Sequence, residues 1–334
     1  MFQGCFVALV TPFRDGAIDI AALEALVDDS IAGGVSGLVP CGTTGEAPTL
    51  CAEEQQTVIA AVVRRAGGRV PVVAGTGTNA TDATIARSKA AVRAGADGVM
   101  LVAPYYNKPN QTGLYQHFSA VARQVDVPII LYNIPGRCGV EIAVETIARL
   151  HEDHPNIVAV KHATGSIDGA SRLRSRSDIA ILSGDDTMTL PLMSIGAVGV
   201  ISVLANLLPR EMSALVAAAL GGDLATARCW HHRLFPIARD LLKLDTNPIP
   251  INTALAMRGR MAEEFRLPMC RLEDDRRRRL DKLLSDLAEE TWAEPHRLET
   301  DATGKKSVAV VARPGSQPPQ MGSIGAPPVI RQTP

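Results

Sequence analysis

The chain has 334 residues, of which 46% are hydrophobic and 4% aromatic, so it is long enough to bury a large core. Its 34 basic and 35 acidic residues give no electrostatic reason to expect a nucleic acid or an anionic membrane as a partner. The first residues lack a secretory signal pattern, no run approaches the roughly 20 apolar residues of a membrane span, and the six cysteines show no CxxC spacing. We therefore expect a cytoplasmic protein with reduced thiols and a small-molecule substrate.

Eight short runs rich in valine, isoleucine and leucine predict buried parallel strands. They begin at Cys5, Gly37, Val70, Gly98, Pro128, Ile157, Ile179 and Ala197. Apolar residues at helical spacing fill the intervals, as at Leu23, Leu26, Val27 and Ile31. Eight such alternations predict an α/β protein, a (β/α)8 TIM barrel over residues 1–208, rather than an open doubly wound sheet.

The chain after the eighth strand divides into two parts. Apolar periodicity over residues 209–220, 223–244, 249–258 and 273–287 predicts a C-terminal helical bundle within residues 209–292, and we expect it to support assembly rather than chemistry. Residues 293–334 are rich in glycine, proline, serine and glutamine, which predicts a disordered tail. The basic run 276–279 follows three acidic residues, which is typical of a solvated helix face with internal ion pairs.

Polar side chains cluster where the predicted strands end. In a barrel of this kind, the carboxyl ends of the strands carry the chemistry. The residues found there are Thr43, Thr44, Tyr105, Tyr106, Tyr132, Arg137, Lys161, Asp185 and Asp186. The amino ends of the same runs show no comparable cluster, so we expect one site at one mouth of the barrel.

Lys161 stands at the end of the sixth apolar run, where a lysine has two explanations. A buried lysine can pair with an acid, and Glu46, Asp185 or Asp186 could reach it across the barrel. Alternatively, desolvation favours the neutral amine, which is the form that attacks a carbonyl carbon. No acid lies beside Lys161 in its own strand, and the neighbouring strand ends offer proton-transfer groups instead.

Schiff-base chemistry also needs groups that move protons and a site for a substrate carboxylate. Tyr132 is the candidate proton donor, and a relay through Thr44 and Tyr106 would help a phenol to act at neutral pH. Each tyrosine taken alone could also be an ordinary packing residue. The turn at residues 42–46 offers backbone N–H groups and two hydroxyls to a carboxylate, although glycines also form plain turns of this kind.

Two other kinds of site are not supported. Residues 75–82 lack the G-x-G-x-x-G spacing of a dinucleotide loop and the chain has no Walker lysine. His151 and His154 are typical of a polar helix end before a proline, and His231 and His232 are equally weak metal candidates. We expect no metal and no cofactor.

Six separated motifs carry a family resemblance. They are GTTGE from Gly42, PYYNKP from Pro104, LYNIPGR from Leu131, VKHATG from Val160, LSGDD from Leu182 and GVISV from Gly199. Together they resemble the dihydrodipicolinate synthase family, within the N-acetylneuraminate lyase superfamily of class I aldolases. The resemblance runs in order from residue 1 to about residue 287, and the tail has no counterpart in it.

The resemblance implies a lyase in which Lys161 forms a Schiff base with pyruvate. The enamine then attacks L-aspartate 4-semialdehyde to give 4-hydroxy-tetrahydrodipicolinate, the first committed step towards diaminopimelate and lysine. The implied catalytic residues are Lys161, Tyr132, Thr44 and Tyr106. The implied substrate-binding residues are Thr43 and Thr44 for the pyruvate carboxylate, Arg137 for the second substrate, and the backbone of Gly184 and Ile201.

The resemblance also implies a homotetramer built from tight dimers, in which Tyr106 reaches into the neighbouring subunit's site. His162 stands where the family usually carries an acid, and strand alternation directs it towards the helix layer. At the interface where feedback-inhibited members bind lysine, this chain has Ala47, Pro48, Ala52, Gln55 and Ala83, with Asn79 and Tyr105 retained. We therefore expect weak or absent inhibition by lysine.

Two alternatives remain. Other enzymes of the superfamily, namely sialic acid lyases, 2-keto-3-deoxy sugar acid aldolases and hydratase-aldolases, share the lysine and Tyr132, but the double threonine and Arg137 favour the synthase. A non-catalytic barrel kept for binding is the other alternative. The full set of polar strand ends argues against it.

Overall fold

The computed structural model describes residues 2–289. Strands and helices alternate through the first two thirds of this part. The parallel strands are β1 (Gly4–Ala8), β2 (Gly37–Val39), β3 (Val73–Gly75), β4 (Gly98–Val102), β5 (Ile129–Asn133), β6 (Ile157–His162), β7 (Ala180–Ser183) and β8 (Gly199–Ser202). The helices are α1 (Ile20–Ala32), α2 (Ala52–Ala66), α3 (Thr81–Arg93), α4 (Gln111–Ala122), α5 (Val144–Asp153), α6 (Ile167–Arg176), α7 (Thr189–Ser194), α8 (Pro209–Leu220), α9 (Leu224–Leu244), α10 (Ile249–Met257) and α11 (Asp274–Glu289).

The eight strands form one sheet in the order β2-β1-β8-β7-β6-β5-β4-β3. Every pairing between neighbours in this sheet is parallel, and an isolated parallel bridge joins Leu38 of β2 to Val72, immediately before β3. The bridge brings the two edge strands together, so the sheet is a nearly closed barrel. The predicted (β/α)8 fold is confirmed, and each of the eight apolar runs contains a strand.

Strand alternation divides the core into two layers. One set of side chains faces the barrel interior and includes Met100, Tyr132, Ala159 and Ile201. The alternate set packs beneath the helices, as Val160 does. Because a strand buried on both faces must be apolar on both, the runs read as continuous hydrophobic segments in the sequence. Lys161 has the same parity as Ala159, which directs its side chain inward.

The segments predicted to be helical after β8 are all helices, α8 to α11. Helix α8 packs against β1, α1 and α7, which is the position of the eighth helix of the barrel. It also packs against α9, so its contacts mark no boundary, and the division into residues 1–208 and 209–292 remains a prediction. The predicted tail, residues 293–334, lies outside the described residues. No helix within residues 2–289 combines the length and the hydropathy needed to cross a bilayer.

Candidate active site

Lys161 lies near the carboxyl end of β6 and is only 4% exposed. Its register partner in β5 is Tyr132, and its amine Nζ lies 4.3 Å from the centroid of the Tyr132 ring. Tyr132 is also 4% exposed and belongs to the apolar interior of the barrel. The two side chains therefore share a dry environment at the mouth where the strands end.

Each acid that could have paired with Lys161 accepts at least one hydrogen bond from another residue. Asp186 accepts hydrogen bonds from one hydroxyl and two backbone N–H groups at and just after the end of β8. Asp185 accepts from the backbone and the hydroxyl of the residue two positions on. Glu46 accepts from the Asn252 amide at 3.0 Å. Among the described residues no carboxylate forms an ion pair with Lys161. Pairing with an acid therefore does not explain why this lysine is buried.

The turn after β2 presents unused hydrogen-bond donors. Its internal hydrogen bonds use the N–H groups of Gly45, Glu46 and Ala47, which donate to carbonyls earlier in the turn. Within residues 2–289, the N–H groups of Thr43 and Thr44 have no protein acceptor. Successive free N–H groups of this kind form a small cradle for an anion such as a carboxylate.

Arg137 is held on a one-turn helix, Pro135–Cys138, that follows β5. The loop is fixed by Asn133, whose amide both donates to and accepts from the backbone of Ile142 at 3.0 Å. The exposed guanidinium of Arg137 donates one hydrogen bond, to the Asn247 carbonyl at 2.9 Å. Arg137 forms no ion pair within the described part of the chain, so its remaining N–H groups are available to a substrate carboxylate.

A cavity of about 760 Å³ opens at this mouth. Four of the predicted site residues line it: Thr43, Tyr106, Tyr132 and Arg137. The charged side chains among its described lining residues are Arg87, Lys108 and Arg137, all of which are cationic. A concave site with charges of one sign concentrates the potential inside it, so this cavity favours anionic ligands.

Gly184 directly follows β7, the neighbour of the lysine strand, whereas Ile201 lies on β8, one strand further on. Neither residue lines the cavity. Gly184 donates its N–H to the carbonyl of His162 at 2.8 Å, and a Cβ there would lie 2.6 Å from the Cβ of Ala163. Only glycine allows this approach. Ile201 of β8 is fully buried in the barrel interior.

Tyr106 does not join Thr44 or Tyr132 within one chain. Its side chain is 89% exposed, and no hydrogen bond connects the three hydroxyls among the described residues. Its backbone is left-handed, with φ of +73°, which is unusual for a bulky residue. The proposed relay is therefore incomplete in a single chain.

Glu46 is buried in the same turn, two residues after Thr44. Desolvation raises the pKa of its carboxyl to about 7, while the Arg266 backbone and the Asn252 amide act in the opposite direction. Its Oε2 atom is buried and has no partner within residues 2–289. The residue is poised to change protonation near neutral pH.

The comparisons with known proteins agree with this geometry. A family model described as the dihydrodipicolinate synthetase family matches residues 1–287. The chain belongs to the dihydrodipicolinate synthetase family. The resemblance seen in the six motifs is confirmed.

Relatives in this family are similar over nearly their whole length. The 4-hydroxy-tetrahydrodipicolinate synthase of Pelobacter propionicus is 52% identical over 276 residues, which cover 82% of this chain and 94% of that protein. The crystal structure of dihydrodipicolinate synthase from Aquifex aeolicus superposes with a TM-score of 0.85 at 46% identity, covering 86% of this chain and 98% of that one. The chloride-inhibited dihydrodipicolinate synthase from Acinetobacter baumannii, solved with pyruvate, has a TM-score of 0.83 at 42% identity, covering 86% and 99%.

The histidine that departs from the family pattern lies outside the barrel interior. His162 is buried, and its Nε2 lies 2.9 Å from the Ser166 carbonyl, immediately before α6. His151 and His154 are also engaged in structural contacts, with Asp178 and Ser119 respectively. No group of three metal-ligating side chains occurs within residues 2–289.

One site residue was missed in the sequence. Asn247 precedes α10, in the extension expected to support assembly, and yet its amide donates to the Thr44 hydroxyl at 3.0 Å. The only signal was a polar residue in the loop DTNPIP, which resembles many surface loops. The C-terminal extension therefore contributes directly to the site in this member of the dihydrodipicolinate synthetase family.

Proposed function

We propose that this chain condenses pyruvate with L-aspartate 4-semialdehyde to give 4-hydroxy-tetrahydrodipicolinate. This is the first committed step towards diaminopimelate and lysine. The observation that carries the proposal is the buried Lys161, unpaired with any described acid and packed against the ring of Tyr132. Membership of the dihydrodipicolinate synthetase family supports it independently.

The reaction begins with the Lys161 amine attacking the keto carbon of pyruvate. Tyr132, whose ring lies against the amine, protonates the resulting carbinolamine oxygen, and water leaves to give the imine. The free N–H groups of Thr43 and Thr44 hold the pyruvate carboxylate during this step. Backbone atoms at Gly184 and Ile201 complete the wall of the pyruvate pocket.

The second half joins the two substrates. Loss of a proton from the pyruvate methyl carbon gives an enamine, which attacks the aldehyde carbon of the semialdehyde. Arg137 holds the carboxylate of that substrate through its free N–H groups. The substrate amine then attacks the imine carbon and displaces Lys161, which closes the ring and regenerates the enzyme.

A homotetramer of tight dimers is the proposed assembly. The exposure of Tyr106 supports the tight-dimer interface of this assembly, because a large exposed ring is costly in a free monomer and is explained if a second copy covers it. Tyr106 then completes the relay with Thr44 and Tyr132 of the neighbouring subunit. We also propose a cytoplasmic location, on the composition of the chain and its scattered free thiols.

Borohydride trapping tests the proposal. Reduction in the presence of pyruvate should attach a pyruvyl group to Lys161, and peptide mapping by mass spectrometry should find none on Lys89, a half-buried lysine bonded to Gln124. A turnover assay should then show condensation with the semialdehyde, and no cleavage of sialic acid or 2-keto-3-deoxy-gluconate. A wild-type protein that forms no adduct at Lys161 would refute the mechanism.

A further inference from the structure

Asn247 contacts two loops of the candidate site with different parts of the residue. Its side-chain Nδ2 donates to Thr44 Oγ1 at 3.0 Å, and its main-chain carbonyl accepts from Arg137 Nη2 at 2.9 Å. Thr44 follows β2 and Arg137 follows β5, so Asn247 bridges loops that hold the two substrates in the proposed reaction. No sequence motif of the site includes it.

The direction of the hydrogen bond to Thr44 has a chemical consequence. A threonine hydroxyl has one proton to donate and can accept two hydrogen bonds. Because the Asn247 amide donates to Oγ1, the hydroxyl keeps its own proton free for another acceptor. A proton relay through Thr44 requires this polarity, since a hydroxyl that donates to Asn247 could not also donate towards a tyrosine.

The rest of the Asn247 amide supports the same conclusion. Its Oδ1 atom is buried and has no donor among the described residues, and Nδ2 contacts Thr44. A buried acceptor without a hydrogen-bond partner is unfavourable. Burial of the Asn247 amide therefore destabilises the fold unless the hydrogen bond from its Nδ2 group compensates. The hydrogen bond that the amide donates to the Thr44 hydroxyl explains why asparagine occupies this position.

We propose that Asn247 is a positioning residue that sets the direction of proton transfer through Thr44. This inference rests on the proposed function. The side chain acts on Thr44, whereas the main-chain carbonyl orients Arg137 and is independent of the side chain. Substitution of the side chain should therefore change the proton-transfer steps and spare the binding of the semialdehyde.

Two substitutions separate this role from packing. Asn247→Ala removes the donor, and Asn247→Asp replaces it with a carboxylate of nearly the same shape that only accepts. We expect kcat to fall about 10-fold in Asn247→Ala and further, towards about 100-fold, in Asn247→Asp, with KM for the semialdehyde within about threefold of wild type. A packing role predicts the opposite order, because aspartate preserves the shape and alanine does not.

A double-mutant cycle tests whether the effect passes through Thr44. In a Thr44→Val background, Asn247→Ala should change the rate of imine formation by less than about twofold. Thr246→Ala, at the exposed neighbouring position, is the matched control and should retain wild-type kcat. Wild-type kcat in both Asn247 variants, an Ala variant slower than the Asp variant, or a full additional loss in the Thr44→Val background would overturn the proposal.

Borohydride trapping distinguishes failure of the proposed function from failure of the proposed role of Asn247. If wild-type protein forms no pyruvyl adduct at Lys161, the proposed function fails. If wild type forms the adduct and both Asn247 variants form it at the same rate and turn over normally, the function stands and the role of Asn247 fails. Circular dichroism and thermal melting of each variant show whether it is folded, and the Ala variant carries the test if the Asp variant is not.

Discussion

Lys161 and Tyr132 occupy the same register position on adjacent parallel strands, with the lysine amine 4.3 Å from the centre of the phenol ring. Strand pairing thus fixes the separation of nucleophile and proton donor, because neither side chain depends on a loop for its position. The apolar interior on the inner side of both strands keeps water away from the amine. The same ring that excludes water carries the hydroxyl that the mechanism uses.

Removing only the Tyr132 hydroxyl should separate the two roles of this residue, which are packing against Lys161 and donating a proton. Tyr132→Phe keeps the ring that packs against Lys161, so we expect the pyruvate adduct to form slowly and kcat to fall by about 10²-fold or more. Stopped-flow turnover and borohydride trapping measure the two effects. Tyr115→Phe, which loses a hydroxyl bonded to Asp153 on the outer surface, is the control and should behave as wild type. Normal turnover in Tyr132→Phe would remove Tyr132 from the mechanism.

Arg137 should affect the second substrate alone. Arg137→Ala should raise KM for the semialdehyde by at least about 10-fold and leave the rate of pyruvate adduct formation unchanged, because the lost contact is to a carboxylate that arrives later. Arg137→Lys should recover only part of the loss, since an ammonium cannot form the bidentate pair. Steady-state kinetics with each substrate varied in turn provide the measurement. An unchanged semialdehyde KM in Arg137→Ala would contradict the assigned role.

The barrel could be predicted from sequence because each strand is buried on both faces and so leaves an unbroken apolar run. Lys161 and Tyr132 could be found for the same reason, since each is a polar group that ends such a run. Asn247 could not, because it lies more than a hundred residues along the chain from both of its partners, and a long-range hydrogen bond leaves no local periodicity. The sequence also left open whether Lys161 pairs with an acid. Tertiary contacts decide which acids are already hydrogen-bonded to other residues, and these contacts leave no local pattern.

The cavity lining bears on inhibition by lysine. Ala47, Pro48 and Tyr105 line the cavity, whose charged lining side chains among the described residues are cationic, and the Gln55 amide donates to the Ala47 carbonyl. Lysine carries two ammonium groups, which these cationic side chains repel. We expect no inhibition at sub-millimolar lysine, measured by titration of the turnover assay. Strong inhibition in that range would contradict this prediction.

Glu46 should make stability depend on pH. Burial raises the pKa of its carboxyl from 4.5 to about 7 in the folded protein, so between these values the native state binds more protons than the unfolded state. The free energy of unfolding therefore falls as pH rises through this window. Glu46→Gln should be more stable than wild type at pH 8, by on the order of 3 kcal/mol, with the difference shrinking towards pH 5. Urea unfolding across this range checks it, and a difference that does not vary with pH would refute it.

Subunit mixing tests whether Tyr106 serves a neighbouring site. Tyr106→Phe and Lys161→Ala should each be nearly inactive as purified homo-oligomers, because one lacks a relay hydroxyl and the other the nucleophile. In a mixed dimer, the subunit that keeps Lys161 can receive Tyr106 from the Lys161→Ala subunit, so one of the two sites is complete. Co-expression with two affinity tags isolates the mixed oligomer, and its activity should approach about half that of wild type per dimer. If the mixed oligomer assembles and remains as inactive as its parents, Tyr106 does not act across an interface, and its exposure requires another explanation.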